Sequence, residues 1–369
     1  MLTSPALHWP RGGRRAGEDQ LPFGVVATES LPHHSRTMHT PLNKLNSLAR
    51  RFRHLANELR WSVIDTLDRS PAGTPACAVG DAERVHYEQH GWVVLRKAVP
   101  EEDIARLRLA IELFRGRRDQ GRDEFGHGVR IGLLHAVEPA SLKVALNAHV
   151  RRFLAGAFGG DPVLFGSLTF DIGTEQEAHI DAAFFYTRPA DTMAGCWTGL
   201  EDIHPDSGPL FVISGSHHWP RLSAEEVLNL HPDLKQRVVR HRQSGLSPDI
   251  ALSNEVYGAY IAEVHARIRA RGAVPTPALI GVGDVLIWHG WLIHGGLPRL
   301  DRTRTRCSMV AHFIKDSVPF WNQHAYFLHG DDLSAERQSH FTYRRSWRGK
   351  LIRYPDAVTF PGGDGHYKA

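Results

Sequence analysis

The sequence predicts a mainly β domain with flanking helices, an α+β arrangement in which a barrel or sandwich carries a helical insertion. Short runs rich in β-branched and aromatic residues lie between Val163 and Ile213, and Gly, Pro, Asp or Ser separates them. Such runs are typical of antiparallel strands. Two further runs, DVLIWHGWLIHGG from Asp284 and RCSMVAHFI from Arg306, resume the pattern after a polar stretch that favours helix.

The first 80 residues precede this domain and divide into two segments. Residues 1–41 combine Pro, Gly and Arg without a long apolar stretch, so we expect a disordered extension. From residue 42 to residue 67 apolar residues recur at spacings of three and four, which indicates an amphipathic helix. The apolar stripe comprises Leu42, Leu45, Leu48, Phe52, Leu55, Leu59, Val63 and Leu67. A linker rich in Pro, Gly and Ala completes the segment 42–80.

The domain itself is expected over residues 81–318. It opens with a strand within GWVVLRKAV, from Gly91 to Val99, and a helix that follows Pro100 with three acidic residues in its first turn. The polar stretch predicts a helical insertion over residues 221–275. The tail, residues 319–369, is rich in His, Tyr, Trp and Arg without a clear period. We therefore expect the tail to form loops and short helices packed on the domain.

The composition excludes several classes of protein. Of 369 residues, 42% are hydrophobic, and 44 Lys and Arg against 40 Asp and Glu leave a net charge of +4. This balance is too even for a protein that binds nucleic acid. No run of about 18 apolar residues occurs, so no membrane-spanning helix is expected. Three cysteines without a C-x-x-C pair suit a reducing compartment, and we expect a cytoplasmic protein.

A His-x-Asp pair is the simplest sequence form of two metal ligands on one strand, because alternation places both side chains on the same face. Four such pairs occur, so the pattern alone is weak, and an arbitrary pair is more often a surface ion pair or a turn. The pairs that begin at His204 and His231 contain Pro, and the pair at His329 lies in a polar loop. The pair His179 and Asp181 lies in a strand-like apolar run.

Downstream residues strengthen the interpretation of this pair. His294 is expected at the end of an apolar strand, and Gly295 and Gly296 follow it, where a backbone can approach a ligand closely. Two imidazoles and one carboxylate suit an iron(II) site that leaves positions open for a co-substrate and O2. Arg306, expected in the next strand, is able to bind a carboxylate through two hydrogen bonds.

Several segments in this order resemble the phytanoyl-CoA dioxygenase family of iron(II)- and 2-oxoglutarate-dependent oxygenases. The resemblance covers about Tyr87 to Lys315. The similar segments are YEQHGWVVLRKAVPEEDIARLRLAI, HIDAAFFYTRP, CWTGLEDIHPDSGPLFVISGSH, WHGWLIHGG and RCSMVAHF. It implies a double-stranded β-helix, also called a jelly-roll or cupin-like barrel. It also implies that Fe(II), 2-oxoglutarate and O2 take part in the reaction.

The resemblance assigns roles to individual residues. It makes His179, Asp181 and His294 the iron ligands and Arg306 the partner of the distal carboxylate of 2-oxoglutarate. Trp197 corresponds to a tryptophan beside that co-substrate, with a core aromatic as the alternative. Arg304 competes with Arg306 for the carboxylate, because two residues along a strand share a face. Each arginine also has the simpler interpretation of pairing with a surface acid.

Four neighbouring residues need separate interpretations. Gly296 stands where the family often has a hydroxyl residue, so one hydrogen bond to 2-oxoglutarate has to come from elsewhere or is absent. His289 is expected on the opposite strand face from His294 and is interpreted as structural. His217 and His218, in a Gly-Ser-His turn, are expected to fix a loop rather than bind metal.

The resulting hypothesis is a dioxygenase that hydroxylates an unactivated C–H of a small molecule and releases succinate and CO2. The carboxylate of Asp181 disfavours halogenation, because the related halogenases lack that ligand. Two alternatives remain open. One is a cupin-like metal-dependent isomerase or hydrolase, which has no need for Arg306, and the other is an inactive binding protein on the same barrel. The sequence specifies neither the substrate nor an oligomeric state.

Overall fold

The structure is a computed structural model that describes residues 81–116, 130–136, 138–244 and 249–330, and strands within 342–368. The expected extension 1–41 and the segment 42–80 lie outside the described residues, so the domain boundaries stay a prediction.

The main sheet contains eight strands. The strands are β1 (Trp92–Leu95), β2 (Arg130–Gly132), β3 (Pro162–Phe170), β5 (Met193–Gly199), β8 (Val285–His289), β10 (Ser308–Lys315), β12 (Thr342–Ser346) and β13 (Gly349–Arg353). Their order across the sheet is β1-β8-β5-β10-β3-β13-β12, and β2 pairs with β3 beside this path. Every pairing is antiparallel except that of β13 with β3.

Three short sheets complete the set of described strands. In the three-stranded sheet β6 (Leu210–Val212) lies between β7 (Thr276–Pro277) and β9 (His294–Gly296). β4 (Phe185–Thr187) pairs with β11 (Phe320–Asn322), and β14 (Ala357–Thr359) pairs with β15 (His366–Lys368).

Residues of the main sheet alternate between two apolar clusters. On one face Met309, Cys196 and Ile287 pack against the helices that precede the sheet. On the other face Val310, Trp197 and Trp288 pack with Leu210 and Val212 of β6. β5 is buried along its whole length, as a central strand covered on both faces must be. The fold is therefore a two-layered β structure with flanking helices, which confirms the expected fold class.

Helices cover the outside of this β core. Those that precede or follow β1 and β2 are α1 (Asp81–His90), α2 (Glu101–Gly116), α3 (Pro139–Ala145) and α4 (Ala148–Phe158). Three more stand between β6 and β7, namely α5 (Ala224–Leu230), α6 (Pro232–Ser244) and α7 (Ile250–Ala270). The last is α8 (Gln323–His329). Within the described part of the chain, no helix combines the length and apolar character needed to cross a bilayer.

Two of the helices between β6 and β7 begin with side-chain caps, and one of these, α7, packs next to the β core. Ser223 and Glu226 form a capping box at the start of α5, and Asp249 caps α7. The ring of Tyr257 in α7 lies 4.8 Å from that of Phe184. Phe184 in turn lies 6.1 Å from the ring of His179. The helical segment thus covers the region beside the His-x-Asp pair.

The tail differs from the expectation of loops and short helices. α8 is a short helix, but β12 and β13 form a hairpin, and β13 pairs with the edge of the main sheet through Lys350 and Val163. These strands were not predicted, because their arginine-rich sequence lacks alternation of polar and apolar residues. Backbone pairing to an open sheet edge defines them instead.

Candidate metal centre

His179, Asp181 and His294 converge on one point of the interior. Their ligand atoms all lie within 4.8 Å of one another. The Nε2 atom of His179 is 3.5 Å from Asp181 Oδ1, and the Nε2 atom of His294 is 3.5 Å from Asp181 Oδ2. All three side chains are buried. Among the described residues, this is the group of His, Cys, Asp and Glu side chains close enough to share a metal ion.

A backbone bridge brings the two histidines together across more than 100 residues of chain. The amide of His179 donates to the carbonyl of His294 at 2.9 Å, and the amide of His294 donates back at 3.1 Å. Ile180 is extended, so the side chains of His179 and Asp181 point to the same side. The site therefore depends on backbone pairing as much as on the side chains.

Two local expectations were wrong. The run from His179 is not a continuous strand, because Asp181 begins a 3₁₀ turn that ends at Ala183. Likewise, His294 does not end the strand from Asp284 but begins β9. β8 ends at His289, where the carbonyl accepts the amide of Leu292 at 2.8 Å and closes a tight turn.

Hydrogen bonds determine which nitrogen each histidine presents. Nδ1 of His179 lies 2.8 Å from the carbonyl of Glu177, and Nδ1 of His294 lies 3.0 Å from the carbonyl of Leu292. A carbonyl only accepts, so Nδ1 carries the proton and Nε2 keeps its lone pair. Each Nε2 faces Asp181. This second hydrogen bond is the usual support of a metal-binding imidazole.

The charge states of these groups also suit a divalent cation. Burial lowers the pKa of His294 to about 4, so its imidazole is neutral near pH 7. Burial alone raises the pKa of Asp181, but His294 and two other neighbouring histidines outweigh it and hold that pKa well below its usual value. Two neutral imidazoles and one carboxylate form the donor set of non-haem iron(II) sites. The residues present therefore fit such an ion.

Two residues that the sequence analysis did not single out as site residues also contact Asp181. Nε1 of Trp288 donates to Oδ2 at 3.0 Å, and Nε2 of His312 lies 3.5 Å from the same oxygen. Both side chains are buried. His312 lies on β10. From the sequence, Arg306 was expected in the same strand, and the even spacing of six residues between them was the signal that could have drawn attention to His312.

Arg306 lies in the interior without an acidic partner. Its side chain is buried, and no carboxylate of the described residues lies within ion-pair distance of it. Nη1 donates to the carbonyl of Gly208 at 2.9 Å, while Nε has no hydrogen-bond partner. Burial, followed by the charge of Arg299, lowers the pKa of Arg306 to about 10. A buried guanidinium in this state favours an anionic ligand.

Aromatic rings flank this guanidinium. Its carbon lies 5.6 Å from the ring of Trp197 and 5.5 Å from the ring of Phe170. Trp197 stands at the centre of β5 and is buried. Trp197 thus lies beside Arg306, where the resemblance expected a tryptophan next to the co-substrate. Arg306 itself precedes β10, which begins at Ser308, so its expected place within the strand was wrong.

Arg304 lies on the surface instead. Its Nε forms an ion pair with Asp301 at 3.1 Å, and 44% of its side chain is exposed. The expected sharing of a strand face with Arg306 does not occur, because both residues precede β10. Of the two arginines, Arg306 therefore lies inside the fold and Arg304 at its surface.

The other histidines that the sequence analysis discussed contact residues outside this group. Nε2 of His289 lies 3.5 Å from Asp191, and the Nε2 atoms of His217 and His218 both face the carbonyl of Glu88 at about 3 Å. These contacts join the Gly-Ser-His turn to α1. The pair that begins at His204 forms an exposed turn.

Gly295 and Gly296 allow a close approach of another chain segment rather than of a ligand. A Cβ atom at Gly296 would lie 3.0 Å from the amide nitrogen of Gln176, and one at Gly295 would lie 2.8 Å from its carbonyl oxygen. The amide of Gly296 donates to that carbonyl at 2.8 Å. The backbone of Gln176 therefore explains both glycines.

Comparison with known proteins identifies relatives. The model of the phytanoyl-CoA dioxygenase (PhyH) family matches residues 87–305. "Phytanoyl-CoA dioxygenase domain-containing protein 1" of Danio rerio is 32% identical over 105 residues, which are 27% of this chain and 34% of that protein. Its namesake in Bos taurus is 27% identical over 195 residues, 51% of this chain and 57% of that protein. The matches thus span between a third and somewhat over half of these relatives.

Solved structures are also similar, at low sequence identity. The non-haem alpha ketoglutarate dependent epimerase SnoN from nogalamycin biosynthesis is 15% identical, with a TM-score of 0.49 over 74% of this chain and 98% of that chain. HygX from Streptomyces hygroscopicus, with nickel and 2-oxoglutarate bound, is 15% identical, with a TM-score of 0.44 over 67% of this chain and 90% of that chain.

The family match covers more than half of the chain and includes His179, Asp181 and His294, while Arg306 follows directly after its end. It confirms the resemblance found in the sequence. The chain belongs to the phytanoyl-CoA dioxygenase family.

Proposed function

We propose that this protein is an iron(II)- and 2-oxoglutarate-dependent dioxygenase that hydroxylates an unactivated C–H of a small molecule and releases succinate and CO2. The observation that carries the proposal is the combination of the converging ligand atoms of His179, Asp181 and His294 with the buried Arg306, which lacks an acidic partner. A cupin-like isomerase or hydrolase needs the first feature only.

Each residue has a distinct task in this proposal. His179, Asp181 and His294 hold the cation through two neutral imidazoles and one carboxylate. Arg306 binds the distal carboxylate of 2-oxoglutarate, and its bidentate geometry also orients that carboxylate. Bound iron(II) and 2-oxoglutarate supply the activation of O2 that hydroxylation of a C–H requires.

The aromatic residues control the surroundings of the charges. Trp197 and Phe170 flank the guanidinium of Arg306 and exclude water, so its attraction for a carboxylate is stronger than at a surface. Nδ1–H of His179 and of His294 donates to a backbone carbonyl, which keeps each ring in a metal-binding orientation. The ligand set is thus positioned before the cation arrives.

Anaerobic addition of iron(II) and 2-oxoglutarate tests the proposal. We expect the weak visible charge-transfer band of a chelated keto acid, and we expect Asp181→Ala to abolish hydroxylation of a substrate. Asp206→Ala is the matched control, because Asp206 belongs to the exposed His-x-Asp pair at His204. A flat spectrum from the wild-type protein would favour the isomerase or the inactive binding protein. Unchanged hydroxylation by Asp181→Ala would contradict the ligand assignment.

Succinate release then identifies the substrate. We expect small molecules that are hydroxylated to stimulate formation of succinate from 2-oxoglutarate, and Asp181→Ala measures the background.

A further inference from the structure

One oxygen of Asp181 is engaged by side chains outside the proposed ligand set. Oδ2 accepts the indole N–H of Trp288 at 3.0 Å and lies 3.5 Å from Nε2 of His312. Each oxygen also lies 3.5 Å from Nε2 of one proposed ligand, Oδ1 from that of His179 and Oδ2 from that of His294. The two oxygens of this carboxylate therefore have different surroundings.

The position of the Trp288 indole is fixed by the strands around it. Trp288 pairs with Trp92 on β1 and with Gly195 on β5. A Cβ atom at Gly195 would lie 2.1 Å from the Trp288 ring. The indole therefore occupies space that only a glycine at position 195 leaves open. The ring also lies 4.8 Å from that of His294. The N–H is thus aimed at Asp181 by the packing of the sheet.

His312 reaches the same oxygen from β10. Its ring packs against two phenylalanine rings, that of Phe165 at 5.9 Å and that of Phe185 at 5.6 Å. These apolar rings limit its rotation, and Nε2 is held toward Asp181.

We propose that Trp288 and His312 are positioning residues that hold Oδ2, so that Asp181 offers the metal one oxygen rather than both. The inference rests on the proposed function. A carboxylate that binds through both oxygens takes one more coordination position, and the dioxygenase reaction needs the open positions for 2-oxoglutarate and O2. Hydrogen bonds to a ligating carboxylate also raise metal affinity.

Cobalt(II) titration under anaerobic conditions tests the role of Trp288. Trp288→Phe removes the N–H and keeps an aromatic ring, and we expect it to weaken cobalt binding by about 10- to 100-fold. It should also change the visible cobalt band, which reports the coordination number. Trp291→Phe is the matched control, because Trp291 is also buried and its Nε1 donates to the carbonyl of Ala190 at 2.9 Å. We expect this control to bind cobalt like the wild type.

A second pair of variants tests the same contact if Trp288→Phe does not fold. His312→Gln retains an N–H donor near Oδ2, whereas His312→Phe removes it, so only the latter should weaken cobalt binding. Equal affinity and an equal band in the wild type, Trp288→Phe and His312→Phe would overturn the inference and leave the proposed function intact. Failure of the wild type itself to bind cobalt would instead count against the proposed function.

Discussion

Replacing Arg306 by Met tests the proposed anion site through two opposite effects. The pKa of Arg306 is lowered to about 10, chiefly by burial. This shift corresponds to a cost of about 3 kcal/mol for keeping the charged guanidinium in the interior without a ligand. Arg306 is protonated in both the folded and the unfolded protein at pH 7, so this cost is fully present there. Binding of a carboxylate offsets it, and loss of the guanidinium should therefore raise the Kd for 2-oxoglutarate on the order of 100-fold.

The same substitution should not destabilise the ligand-free protein. Met removes the buried charge but also the hydrogen bond to the carbonyl of Gly208, which contributes about 1–2 kcal/mol. We therefore expect the free energy of unfolding to rise by about 1 kcal/mol. Loss of ligand affinity together with retained or increased stability separates a binding residue from a structural one.

Two measurements check this prediction, and Arg304→Met is the control. Anaerobic titration of the charge-transfer band gives the Kd for 2-oxoglutarate, and urea unfolding without ligand gives the stability. Arg304 forms an exposed ion pair with Asp301, so its replacement should change neither quantity by more than about 1 kcal/mol. Wild-type affinity in Arg306→Met, or a large loss of affinity in Arg304→Met, would refute the reasoning.

Three further substitutions probe the fold around the site. Gly296→Ser should lower stability by about 1–3 kcal/mol without tightening 2-oxoglutarate binding, because its Cβ would lie 3.0 Å from the Gln176 amide; an unchanged urea midpoint would contradict this. Gly258 lies inside α7, and no atom lies within 4 Å of a Cβ placed there. Gly258→Ala should therefore raise the free energy of unfolding by about 0.5–1 kcal/mol, which urea unfolding measures as a higher midpoint. Burial lowers the pKa of His135 to about 3, so the unfolded state takes up a proton between about pH 6.5 and pH 3 and stability falls on acidification. His135→Gln should reduce the slope of the unfolding free energy against pH by about 1.4 kcal/mol per pH unit near pH 5. Urea unfolding at several pH values measures this slope, and equal slopes in the wild type and the variant would refute the prediction.

Local patterns in the sequence predicted most of the β core. Three runs between Val163 and Ile213 became β3, β5 and β6 because each combines β-branched or aromatic residues with flanking turn residues, while the run from His179 contributed only the short strand β4. β12 and β13 were missed, since their pairing to β3 depends on an open sheet edge and not on a side-chain pattern. The turn at Gly290 was missed for a similar reason, because apolar residues continue through it and conceal the end of β8.

The candidate site was predictable where residue types and order are informative. His179, Asp181 and His294 were named from the sequence, and the structure brings them together. Trp288 and His312 were not named as site residues, because their contacts with Asp181 arise only when β8 and β10 lie on either side of β5. The choice between Arg306 and Arg304 likewise required the structure, because the two residues are of the same type and differ in burial, which the sequence does not show.

Strand register ultimately decides whether the ligands meet. His294 pairs with Val212 on β6 and with His179, and a shift of one residue along β9 would turn its side chain to the other face. Gly295 opposes this shift, because a side chain in its place would collide with the Gln176 carbonyl and the Phe211 ring at 2.8 Å. A displaced β9 would bring His294 or a larger neighbour into that space. The glycines after His294 therefore contribute to the proposed metal site indirectly, by allowing the one register in which its imidazole faces Asp181.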